Sequence, residues 1–166
     1  MNITPYQRSA RRSFMVWALL GLGLVFLYGG ITIDPQSNCS ESGECAPWLV
    51  PIAAGIGILA TAGALGQLRA NPQSGSMIDP DTGELIWWQN RIRGHPGDQG
   101  RIDPARIARL RIQRQSEGAD LVHLYDLDGV RQPFFDETVI PFKAEKWAGE
   151  LIALHPHIRF EDKPSR

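Results

Sequence analysis

No charged side chain lies between Ser13 and Ile33, and none between Cys45 and Leu68. Of the 17 basic and 18 acidic residues in the chain, residues 1–68 hold only Arg8, Arg11, Arg12, Asp34, Glu41 and Glu44. So uneven a distribution excludes an ordinary soluble single domain and a disordered chain. Cysteine is equally scarce: two residues in 166 exclude a disulfide-dense secreted miniprotein. No Gly-x-Ser-x-Gly, phosphate loop or dinucleotide fingerprint occurs anywhere. What these absences leave is a small membrane protein carrying one compact polar domain.

Phe14–Ile33 and Trp48–Leu68 are the two charge-poor runs. A helix rises about 1.5 Å per residue, so about 20 apolar residues cross a hydrocarbon core about 30 Å thick. Both segments meet that length, and without water a helix is the form that satisfies their backbones internally. A pair of buried helices in a soluble core is the alternative, but a chain this short offers too little protein to cover them. A cleaved signal peptide is a second alternative for the first run. Its apolar stretch exceeds the ~7–15 residues of a signal core, and no small-x-small cleavage site follows Tyr28.

Arg8, Arg11 and Arg12 precede the first span, Arg69 follows the second, and the connecting loop Asp34–Pro47 has no basic residue. Basic residues are retained on the cytoplasmic side. The expected order is therefore a cytoplasmic segment at 1–13, spans at 14–33 and 48–68, and an outward loop at 34–47. A linker at 69–82 and a cytoplasmic domain at 83–166 follow. Both termini lie inside, and the expected location is the inner (plasma) membrane of a bacterium. Cys39 and Cys45 fall in the outward loop, where an oxidising compartment favours a bridge between them. A redox pair or metal ligation is disfavoured by the C-x5-C spacing and by the lack of histidine in the loop.

Small residues recur four apart in the second span, at Ala53, Gly57 and Thr61 and at Ala62 and Gly66. Such stripes let another helix approach closely. One partner is the first span of the same chain; the other is a separate membrane subunit. Neither span contains an ionisable residue of the kind that lines ion or proton paths.

Residues 69–82 are rich in Pro, Gly, Ser and Asn and read as a linker. Gly83–Gln89 reads as a strand, Gly94–Gly100 as an exposed loop, and Ile107–Arg114 as a strand of alternating apolar and basic residues. Leu121–Leu127 and Val130–Phe135 flank the turn signal Asp128-Gly129 and read as a hairpin. Lys143–Leu154 places Ala144, Trp147, Ala148, Leu151 and Leu154 on one helical face, and His157–Glu161 adds a short strand. The predicted fold class is thus a transmembrane hairpin followed by a small α+β domain, a curved antiparallel sheet capped by one late amphipathic helix.

Arg106-Ile107 with Leu110 and Ile112, the Asp126–Gly129 hairpin, and Phe134-Phe135 before a helix through Trp147 and Leu151 together form a pattern. In these features residues 83–160 resemble uncharacterised bacterial two-span membrane proteins with a pleckstrin-homology-like cytoplasmic domain. The resemblance implies a binding or scaffolding module and carries over no catalytic residue.

The polar part offers few candidates for chemistry. His155 and His157 flank a proline and lack a carboxylate at metal spacing, while His95 and His123 are isolated, so no metal site or cofactor is expected. Asp126, Asp128, Asp136 and Glu137 could supply an acid–base pair, yet Asp126 and Asp128 sit beside a turn, where backbone reasons account for them. Residues 91–114 hold seven arginines against Asp98 and Asp103, while residues 115–162 hold ten acids against four bases. Arg91, Arg93, Arg106, Arg109, Arg111 and Arg114 therefore form a candidate contact face for anionic lipid or a protein partner. The competing account is that the two segments neutralise each other in the folded domain. Nucleic acid is not expected, because residues 69–166 carry 14 basic and 15 acidic residues and no recognition motif. The expected partners are the bilayer and other membrane subunits. The leading functional expectation is a non-catalytic accessory, scaffolding or assembly subunit, with an anchored lipid sensor second and an enzyme third.

Overall fold

A computed structural model describes residues 3–39 and 43–164, so residues 40–42 of the predicted loop lie outside the described part. The chain forms two units, Ala10–Asn71 and Met1–Ser9 with Pro72–Arg166.

The first unit is a helical hairpin of α1 (Phe14–Thr32) and α2 (Leu49–Ala70). Both helices are long and apolar enough to cross a membrane. The run of α1 ends just before Asp34-Pro35, where the residue preceding proline is pushed out of the helical region. Pro51 sits in the first turn of α2, where its missing N–H would have no intrahelical partner. Asn71 terminates α2 in a left-handed conformation (φ 46°), donating its N–H to the Gln67 carbonyl at 2.7 Å. Arg11 completes this cap: its Nε donates to the Leu68 carbonyl at 3.0 Å and its N–H to Asn71 Oδ1 at 3.1 Å. A cation at a helix C-terminus also opposes the negative end of the helix dipole. In the connecting loop, Cys39 and Cys45 form a disulfide.

Among the described residues the second unit holds seven strands and one α-helix. β1 (Tyr6–Ser9), β2 (Gln73–Ile78), β3 (Leu85–Arg91) and β4 (Asp98–Ile102) form an antiparallel sheet in chain order. β5 (Ile107–Gln113) pairs antiparallel with β6 (Leu121–Asp126) and parallel with β7 (Arg159–Lys163), which follows α3 (Ala144–Leu154). One core joins the two sheets and α3: Leu85, Trp87 and Ile102 meet Leu110, Ile112, Leu124, Ala148 and Leu151. Three aromatic rings run through it. Trp87 meets Phe135 edge-on at 5.3 Å, and Phe135 meets Trp147 at 6.0 Å. Such contacts are favourable beyond the area they bury.

Several expectations are corrected. Residues 69–82 are not a linker: Arg69 and Ala70 end α2, and residues 73–78 are β2, in the middle of the first sheet. Ser76 suits that place because its hydroxyl, fully buried, donates to the Val139 carbonyl at 2.6 Å. The domain does not start at residue 83, since the segment expected to stand alone at 1–13 supplies β1 and the buried Ile3. Strand structure resumes at Asp98, inside the predicted loop Gly94–Gly100. Gly100 has a packing reason: a Cβ there would lie 2.2 Å from the Trp87 ring. Val130–Phe135 makes only one bridge, Arg131 to Tyr125, because its chain turns away so that the Pro133 carbonyl accepts from Trp87 Nε1 at 3.0 Å. The single curved antiparallel sheet is replaced by two sheets, with β7 parallel to its neighbour.

Candidate functional site

Arginines 106 to 114 were candidates for a free basic face, and the fold neutralises them. In β5, Leu110 and Ile112 point into the core, so the period of two sends Arg109 and Arg111 to the opposite face. Parallel pairing brings Glu161 of β7 alongside Arg111. Glu161 accepts from Arg111 Nε at 2.9 Å and from Arg109 Nη1 at 3.4 Å. These bonds, Arg111 first, hold the Glu161 carboxyl below its usual range. Both guanidinium groups also lie against the Tyr125 ring, at 4.3 and 5.4 Å from its centre.

Arg114 is bound by three carboxylates: Asp162, Glu145 and Asp120. They raise its pKa further, Asp162 foremost, and Arg114 in turn lowers that of Glu145. Arg106 lies 3.6 Å from Asp128, and the pair is well exposed. An exposed pair of this kind contributes about 0–1 kcal/mol. Arg91 and Arg93 differ from these four. Among the described residues no carboxylate comes within ion-pair distance of either, and Arg91 instead covers the Trp88 ring at 5.1 Å.

The small-residue stripes separate into two roles. Gly57 and Thr61 face α1: a Cβ on Gly57 would lie 2.4 Å from the Leu27 nitrogen, and one on Gly23 would lie 2.7 Å from Thr61 Oγ1. Ala54, rather than Ala53, makes the third close approach, to Gly30. Ala53 is half-buried beside it. Ala62 and Gly66 take no part, being exposed, and a Cβ at Gly66 would meet nothing within 4 Å.

Several of the histidines and carboxylates make contacts within the domain. His157 Nε2 lies 3.1 Å from the Pro104 carbonyl, and the rings of His155 and His157 meet edge-on at 6.1 Å. Burial and the neighbouring His157 lower the His155 pKa. For His123, burial and then Arg131 act in the same direction. Asp126 accepts from the backbone of Asp128 and Val130 and from the Gln132 side chain, at 2.8–3.1 Å, and so shapes the turn. Asp136 likewise accepts from Thr138 N–H and Oγ1. Among the described residues no three His, Cys, Asp or Glu side chains gather as a metal site.

Sequence reasoning missed Trp88, Ile92, Tyr125 and Glu161. The alternation of basic residues along Arg109–Arg114 was a usable signal for Tyr125 and Glu161, because a charged outer strand position needs a cross-strand partner. Trp88 and Ile92 carried no local signal beyond their closeness to unpaired arginines.

No family model, curated protein or solved structure matches this chain. The fold and its side chains define a class of their own accord: a hairpin of two membrane-length apolar helices joined to a small two-sheet domain with a late helix.

Proposed function

We propose that this chain is a non-catalytic protein of the bacterial inner membrane, an accessory or assembly subunit whose hairpin packs with further membrane helices. In this reading its domain binds a partner from the cytoplasmic side. One observation carries it. The glycine seam between α1 and α2 uses Gly23, Gly30 and Gly57, which leaves the second small-residue stripe at Ala62 and Gly66 open on the outer surface of the hairpin. In a bilayer, where apolar side chains gain nothing by leaving lipid for one another, close approach over small residues is a main source of helix association. The pleckstrin-homology-like reading of the domain belongs to the same proposal. Strands in two sheets around one core with a late helix support it, while the parallel β7 after that helix departs from the expected pattern.

Gly66→Leu tests the reading, because that side chain meets nothing within the hairpin. Purified from its native membrane in mild detergent, the unaltered chain is expected to carry a stoichiometric membrane component. The variant should lose that component while remaining folded. A wild-type chain that runs as a stable lone monomer would count against an accessory role.

Orientation supplies a second prediction. The loop has no basic residue, and its cysteine pair suits an oxidising compartment. A single cysteine at Ser116, with Cys39 and Cys45 replaced by serine, should react with a membrane-impermeant thiol reagent only after the inner membrane is permeabilised. Reaction in intact spheroplasts would invert the proposed topology.

Contact with anionic lipid is the second reading, and the lack of carboxylate partners around Arg91 and Arg93 among the described residues favours it. Arg109, Arg111 and Arg114 support it less, since each is paired with carboxylates of the domain.

A further inference from the structure

We infer that the β3–β4 hairpin tip, Arg91-Ile92-Arg93-Gly94-His95, is a clamp for anionic phospholipid headgroups of the membrane that the two helices span. The inference rests on the membrane reading above and names the part of the domain that meets the lipid.

The strand register places this tip. Ser9 pairs with Gln73 and Gln73 with Arg91, so one end of the first sheet holds the end of β1, the start of β2 and the end of β3. At that same end the chain passes into the apolar helices. Only Asn71 and Pro72 separate α2 from β2, and only Ala10–Ser13 separate β1 from α1. Three peptide steps of 3.8 Å keep Gln73 within about 11 Å of the last residue of α2. Thus Arg91 shares a sheet end with the two points where the chain leads into the spans.

The tip has the chemistry of a headgroup contact. Ile92 and His95 exchange two backbone hydrogen bonds of 3.1 Å, which makes Arg93-Gly94 a two-residue turn. Gly94 holds φ at 83°, a conformation that glycine adopts without strain. His95 Nδ1 accepts from the Gly97 N–H at 3.0 Å and braces the turn from behind. The turn therefore presents Arg93 on a short, braced loop, with Arg91 beside it stacked on Trp88. Between the two arginines Ile92 is 38% exposed. A guanidinium recognises phosphate through paired N–H donors, and an apolar side chain between two such groups can reach the acyl boundary. Asp98 is the nearest acid along the chain and lies beyond the turn.

Hydrogen exchange of the full-length protein in nanodiscs tests the clamp. In discs of phosphatidylcholine with a third phosphatidylglycerol, the amides of residues 91–95 and 97 should exchange roughly 25-fold more slowly than in phosphatidylcholine alone, at roughly fivefold per arginine. High salt and the double change R91Q/R93Q should each abolish the difference, R91K/R93K should keep most of it, and Ile92→Ser should reduce it. Equal exchange in the two kinds of disc, with α1 and α2 protected in both, would overturn the clamp and leave the membrane reading standing. Unprotected helices, or failure to enter discs, would overturn both. Equal slowing by soluble glycerol phosphate over neutral lipid would overturn the lipid assignment in favour of a free anion.

Discussion

Trp87→Ala is expected to destabilise the sheet domain by about 3–5 kcal/mol, the range for removing a large aromatic side chain from a packed core. Trp87 is 1% exposed, lies over Gly100 of the adjacent strand, meets Phe135 edge-on, and donates its indole N–H to the Pro133 carbonyl at 3.0 Å. Removing it leaves a cavity between the two sheets and orphans a carbonyl in the segment that leads to α3. Domains are stable by only about 5–15 kcal/mol, so this change takes a large share of the total. Thermal unfolding of the full chain in detergent, followed by near-ultraviolet circular dichroism, should show the domain transition lowered by tens of degrees, at about 4–8 °C per kcal/mol. Trp147→Phe is the informative contrast. The Trp147 indole nitrogen is buried and has no hydrogen-bond partner among the described residues, so its loss orphans no acceptor there and should cost far less. Similar losses from both changes would refute this account of the core.

Much of this architecture is visible in the chain because its physical causes are local. Charge-free runs of membrane length mark α1 and α2, period-two alternation marks β3 and β5, and the apolar face of residues 143–154 marks α3. The parts that escape detection depend on partners far away in sequence. Gln73–Ile78 looks like a linker because it contains Ser, Gly and Ser. Each small residue there answers a distant neighbour: a Cβ on Gly75 would lie 2.1 Å from the Tyr6 carbonyl oxygen, and Ser76 bonds to Val139. The pairing of β1 with β2 closes a loop that contains the whole helical hairpin, and no local pattern announces it.

The arginine run follows the same logic. Its surplus of positive charge is real in sequence, but β7 arrives from the far end of the chain to set Glu161 between Arg109 and Arg111. Asp162 of the same strand meets Arg114. A local charge count therefore measures the composition of a segment and not the field around it. Arg91, at the end of β3, and Arg93, in the turn beyond it, have no carboxylate within ion-pair distance among the described residues.

Gly57→Leu is expected to open the helical hairpin. Its Cβ would meet backbone, at 2.4 Å from the Leu27 nitrogen and 2.9 Å from the Gly23 carbonyl oxygen, and backbone cannot rotate aside as a flexible side chain can. Overpacking of this kind costs about 1–3 kcal/mol and at times more. Interactions between membrane helices are individually worth only about 0.6–2 kcal/mol, so the penalty is comparable with what holds the seam. The disulfide closes one end of the hairpin and Arg11, bonded to Leu68 and Asn71, ties the other, so the helices should part between the two ends. Spin labels at cysteines replacing Leu24 and Leu59, both exposed and both away from the seam, report the change by pulsed electron resonance in nanodiscs. A narrow distance distribution in the parent should become broad and longer with Gly57→Leu and stay narrow with Gly66→Leu, whose side chain enters open space. Two unchanged distributions would mean that the glycine seam does not set the approach of the helices. Broadening by Gly66→Leu alone would move the contact to the stripe left open for a partner.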